Sequence, residues 1–226
     1  SFNPETVGLF AAIGIKKGIP FNPDARMKKI LTEAVAVGNA TARTLSYAPR
    51  KKSVYLYSNR KWSSPFAAGS SEFMNNGELV LDDRIFFHYV ATGITPAMAA
   101  PKVGSGSAYG FVTMDANGAY LNGGNTYKII LPAPIPAKNF WSFMVYSGQH
   151  RSMLETDQKL AGLDSNNKSV KPNADGSYTI WFGPKAPKGH ESNWIQTMPK
   201  KSYSVLLRLY GPLEAWFDKT WKPGDF

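Results

Sequence analysis

The 226-residue chain contains no cysteine. That excludes disulfides, thiolate metal sites and a cysteine nucleophile. Histidine is scarce as well: His88, His150 and His190 are far apart and share no ligand spacing such as H-x-x-x-H, so no metal site is expected. No apolar run reaches the ~18 residues of a membrane span, and no basic segment followed by an apolar stretch opens the chain, so neither a span nor a signal peptide is read. No nucleophile elbow, P-loop or dinucleotide fingerprint follows a strand-like run, and no cofactor is expected. No fixed period recurs, which argues against a solenoid. Acidic residues are few: 16 Asp and Glu stand against 26 Lys and Arg, a net charge of +10. Such a surface attracts anions, but the doublets Lys16-Lys17, Lys28-Lys29, Lys51-Lys52 and Lys200-Lys201 are dispersed and no nucleic-acid motif accompanies them, so nucleic acid is not an expected partner.

What is present falls into two parts. Asn3 as N-cap, Pro4 and Glu5 predict a short helix that ends at Gly14. Asn22-Pro23-Asp24 repeats the start signal for a long helix with Met27, Ile30, Leu31, Ala34, Val37 and Leu45 on one face. Gly38 inside it would mark a close contact. Val54–Tyr57 could form a short strand, and Trp62–Gly77 reads as a long loop. A third helix follows Asp82-Asp83 and should split before Pro96.

From Gly104 the period becomes alternating. Strands are predicted at Tyr109–Met114, Ala119–Leu121, Tyr127–Leu131, Phe140–Tyr146, Ser177–Phe182, Trp194–Thr197 and Tyr203–Tyr210, with turns at Asp115–Gly118, Asn122–Asn125 and Asn173–Gly176. Pro132, Pro134 and Pro136 force an extended, exposed link between two of them. Leu213–Phe217 is a last helical turn before an exposed tail. The fold class expected is α+β, mainly β: a jelly-roll-like antiparallel β-sandwich over 104–226, preceded by a helical segment and long loop over 1–103.

Candidate chemistry gathers near the strand ends. Tyr146 and Arg151 lie at the end of Phe140–Tyr146, and an arginine there can clamp an anion through two parallel hydrogen bonds. Trp194 and Arg208 complete the candidate ligand-binding set, for an anionic or carbohydrate ligand. A hydrolase would instead draw on His150, Asp157 and Glu214. Internal ion pairs, Arg151 with Asp157 or Glu155 and Arg208 with Glu214, explain the same residues without a ligand. A structural or envelope interaction protein is the third alternative.

Several stretches together resemble a known family: Ala91–Ala99, Ile135–Ser142, Val145-Tyr146, Arg151–Leu154, Asn173–Ser177, Phe182–Pro187, Asn193–Thr197 and Arg208–Glu214. They are similar to the C-terminal half of a bacterial family of paired domains of unknown function, domain 1214 preceded by domain 1254. The resemblance implies a jelly-roll sandwich, a periplasmic or secreted location and an N-terminal partner domain. The start at Ser1, without Met, then reads as a cut into a longer protein. Apolar Phe2, Leu9, Phe10 and Ile13 would face that partner or a second copy in a homodimer. The family carries no agreed catalytic residues. Where its members show Tyr-Asp-Asn-Gln-Thr-Arg, this chain has Tyr146-Ser147-Gly148-Gln149-His150-Arg151, so a carboxylate role does not transfer to position 147.

Overall fold

The computed structural model describes residues 4–64, 66 and 69–226. Phe2 and the Asn3 cap lie outside those residues, and so does the Glu5 side chain. The chain divides into two compact units, Ser1–Arg43 and Thr44–Phe226.

The first unit holds helix α1 (Pro4–Ala12) and most of α2 (Ala25–Tyr47), whose last turn belongs to the second unit. Gly14, at φ +89°, follows the end of α1. The expected start of α2 is capped by Asp24, whose Oδ1 accepts a hydrogen bond from the Met27 N–H at 2.7 Å. None of the described side chains of this unit is buried. Nothing lies close to Gly38, so the close contact expected there is absent among the described residues.

The second unit is the expected sandwich. One sheet has the order β3 (Ser107–Val112), β9 (Tyr203–Pro212), β5 (Ala137–Ser147) and β6 (Gly162–Asp164). The other runs β4 (Tyr127–Leu131), β7 (Tyr178–Gly183), β8 (Trp194–Gln196). Pairing is antiparallel except between β7 and β8, which run parallel. Alternation sends Val145, Phe143, Val205, Leu207 and Leu209 inward against Ile129, Ile180 and Phe182, and all of these are fully buried.

Residues before Gly104 join this unit. A small hairpin, β1 (Met74–Asn75) and β2 (Glu78–Leu79), turns on Asn76 and Gly77, both at positive φ, inside the stretch expected to be loop. Helices α3 (Leu81–Val90) and α4 (Pro96–Ala99) split as Pro96 requires. Val54–Tyr57 is no strand: Lys52–Val54 is a single 3-10 turn, and Tyr55 makes one bridge to Ser63. The Ala119–Leu121 return shrinks to a bridge between Met114 and Tyr120.

The largest correction concerns the residues after α5 (Glu214–Phe217). They are not an exposed tail. Trp221 is buried, Phe226 packs on the core, and Gly224 accepts a hydrogen bond from the Trp62 indole N–H at 2.8 Å. Trp221 in turn donates its indole N–H to the Pro132 carbonyl at 2.9 Å. Two large aromatic surfaces and two buried indole donors outweigh the turn-like composition of the segment.

Candidate functional site

Strands β3, β9 and β5 have a second face. One residue out of step with the core set, it carries Tyr109 and Phe111 on β3, Ser204, Leu206, Arg208 and Tyr210 on β9, and Ser142, Met144 and Tyr146 on β5. Helix α3 covers part of this face, where Phe86 meets the Phe111 ring at 5.7 Å. Beside that contact lies a cavity of about 340 Å³. Its described walls are mostly apolar: Phe66, Phe87, Val90, Met98, Phe111 and Leu206, with polar groups from Tyr47, Ser63, Thr92, Tyr109, Tyr146, Arg151 and Ser204. No Asp, Glu or His is among the described lining. The size is at the low end for a small-molecule site, and the few polar groups in an apolar wall are what such sites use to orient a ligand.

Arg151 supplies the positive charge. Gly148 opens the turn before it, with its N–H on the Ser202 carbonyl at 2.9 Å, and a side chain at Gly148 would collide with Ser202. The Ser147 hydroxyl accepts from the N–H groups of Gln149 and His150, and the Ser147 carbonyl accepts from the Arg151 N–H at 2.8 Å. Arg151 itself sits at φ +63°, a left-handed conformation unfavourable for a residue with a Cβ. Its guanidinium lies 4.3 Å from the Tyr89 ring and donates to the Tyr89 hydroxyl at 3.1 Å and to the Gln149 carbonyl at 3.2 Å. No carboxylate among the described residues is within 4.0 Å of it; two acids that do pair are Asp83, with Lys51, and Asp225, with Arg60.

The ion pairs expected for Arg151 and Arg208 are therefore not formed among the described residues. Asp157 instead accepts from the Gln196 side chain at 3.0 Å, because β8 brings Gln196 alongside it. Arg208 lies over the Tyr109 and Tyr210 rings.

The candidate residues separate accordingly. Tyr146 and Arg151 line the cavity, and Arg208 stands on the same sheet face one step away. Trp194 lies in the other sheet, with its indole N–H on the Gly183 carbonyl at 2.9 Å. His150, Asp157 and Glu214 are exposed and line no part of the cavity. Among the described residues no three His, Asp or Glu side chains are grouped to hold a metal, and no helix is long and apolar enough to cross a membrane. Burial pushes the Tyr146 hydroxyl pKa above its ordinary value, and the nearby Arg208 charge pulls it partly back.

Tyr109 and Tyr89 were not singled out from the sequence. Alternation marks Tyr109 as lying on the face opposite Ala108, but only the register against β9 sets it beside Arg208. The partner of Arg151 lies on a helix 62 residues earlier, and no local signal links the two.

Residues 106–214 match the family model described as "Protein of unknown function (DUF1214)". This bears out the resemblance over that part of the chain; the preceding domain is not part of the match. A comparison with curated proteins finds no match. Among solved structures, the VPA0106 protein from Vibrio parahaemolyticus aligns over 98% of this chain and 50% of its own, with 16% identity and a TM-score of 0.47. An uncharacterized protein from Burkholderia cenocepacia aligns over 80% of this chain and 45% of its own, with 15% identity and a TM-score of 0.35. The chain thus spans about half the length of these proteins.

Proposed function

We propose that this chain, whose residues 106–214 match the DUF1214 family model, is a binding module that takes a small apolar anion in the cavity between α3 and the four-stranded sheet. The observation that carries this reading is Arg151: a cation on the wall of an apolar cavity, held by a tyrosine and a backbone carbonyl, with no carboxylate among the described residues to neutralise it. A ligand carboxylate, sulfonate or phosphate completes it. The apolar wall favours a hydrocarbon or aromatic body over a sugar. The absence of acids and histidines from the described lining leaves hydrolysis without a general base there.

The test compares octanoate with octanol by calorimetry. Octanoate should bind at least about tenfold more tightly to the wild-type chain, the scale of one charge-assisted hydrogen bond. Arg151→Ala should abolish the difference. Equal binding of acid and alcohol to the wild type would remove Arg151 from the site.

The family resemblance adds to this reading an exported location and work beside a partner domain. Leu9 and Phe10 on α1, 67% and 51% exposed, offer apolar surface for that domain or for a second copy of the chain. Sedimentation of a Leu9→Glu, Phe10→Glu variant against the wild type tests self-association.

A further inference from the structure

Arg208 occupies the middle of β9, half-buried, opposite Tyr109 on β3 and Ser142 on β5. Its guanidinium carbon is 5.2 Å from the Tyr109 ring and 4.9 Å from the Tyr210 ring, and Phe140 stacks on Tyr210 at 3.9 Å. Nη2 makes a long hydrogen bond of 3.5 Å to the Tyr109 hydroxyl. Nε is buried and has no partner among the described residues. No carboxylate among them pairs with this cation either. A half-buried guanidinium with an orphaned N–H is costly, and the aromatic faces offset only part of that cost.

Two tyrosines relay this charge to the cavity. Tyr109 and Tyr146 both line it, and Arg208 acts electrostatically on the Tyr146 hydroxyl. Tyr109 accepts from Arg208, which turns its own proton away from the guanidinium. Neither hydroxyl donates its proton to any described residue. The result is two phenolic donors on the cavity wall, with the Arg208 guanidinium on one of them at 3.5 Å and no acceptor for either proton among the described residues.

We propose that Tyr109 and Tyr146, backed by Arg208, form a second recognition point for an oxygen acceptor. The ligand is then an apolar molecule with an acidic group for Arg151 and a second carboxylate or carbonyl oxygen for the tyrosine pair. This rests on the cavity reading above. Arg208 is a positioning residue, and the two hydroxyls make the contact.

The experiment titrates the full chain with adipate, suberate and sebacate against hexanoate, octanoate and decanoate. At the best length the wild type prefers the diacid over the monoacid. A Tyr109→Phe, Tyr146→Phe variant, which removes two oxygens and little packing, lowers the ratio of the two dissociation constants by about tenfold. Arg208→Met does the same, and Arg208→Lys, which keeps the charge, restores part of the ratio. A merely structural role for Arg208 would weaken both ligands alike and leave the ratio unmoved. An unchanged ratio in the folded double-phenylalanine variant overturns the proposal. If monoacids bind the wild type and diacids gain nothing at any length, the cavity reading stands and this inference falls. If neither series binds, the cavity reading itself fails and takes the inference with it.

Discussion

Strands β5 and β9 present two faces that differ by one residue of register. Trp141, Phe143 and Val145 with Val205, Leu207 and Leu209 are all at most 3% exposed, packed against the second sheet. Their neighbours Ser142, Met144 and Tyr146 with Ser204, Leu206, Arg208 and Tyr210 mix hydroxyls, a thioether, rings and a cation, and most are only half-buried. One backbone alternation builds both. The inner face can hold the strands so firmly that the outer face is free to keep a cation with an N–H unpartnered among the described residues and a cavity beside it, features that would be defects in a core.

The division is broken most directly at Phe143. Its ring meets Phe182 across the sandwich at 5.6 Å and Trp62 at 6.5 Å, with no exposure. Phe143→Ala should cost about 3–5 kcal/mol in urea or thermal unfolding. Leu206→Ala, on the outer face and on the cavity wall, should cost less than half of that, because its site is already partly empty. Comparable losses would mean that the outer face is as tightly built as the inner one.

The inner face was legible in the sequence and the outer one only in part. Period-two runs such as Tyr203–Tyr210 and Phe140–Tyr146 state which residues turn inward, and the observed strands contain both. Strand β6 has three residues, one of them Gly162, too few to show a period. The last residues read as a tail because Lys, Pro, Gly and Asp surround Trp221 and Phe226; what they pack and bond against, Trp62, Pro132 and Phe182 among others, is distant in sequence. For the site, Tyr146 and Arg151 could be named because a strand visibly ends beside them. Expecting Arg151 to pair with a nearby acid failed because the turn aims it at α3, through a left-handed backbone that arginine does not prefer by itself.

That backbone gives a prediction of intermediate size on the outer face. Arg151→Gly and Arg151→Ala remove the same contact with Tyr89 and should lose octanoate binding equally. They differ at φ +63°, where glycine is unstrained and alanine is not. The glycine variant should therefore be the more stable by about 1 kcal/mol, a melting temperature higher by about 2–4 °C for a chain of this size. Equal melting temperatures would mean that the turn relaxes once the guanidinium is gone, and that contact with Tyr89 alone holds the left-handed conformation.

The smallest effect is expected in α3, the helix that covers the outer face. Asp83 is 3% exposed there and lies 3.5 Å from the ammonium of Lys51, whose side chain is 38% exposed. Burial raises the Asp83 pKa, and the Lys51 charge opposes the rise without cancelling it. The folded state therefore holds this proton more tightly than the unfolded chain does. The stability this confers is complete below the ordinary carboxylate range, about pH 4. It is lost as the pH rises through the raised folded value. Asp83→Asn should then match the wild type in acid and gain on it toward neutrality. Lys51 stays solvated enough to lose its partner cheaply, so the gain should be within about 1 kcal/mol. Melting temperatures of the two proteins near pH 4 and near pH 7 decide the matter. A variant that instead falls behind the wild type at neutral pH would show that the Lys51 pair and the N-terminal end of α3 outweigh the burial of the charge, and that the cover over the cavity is held by electrostatics as well as by Phe86 and Phe87.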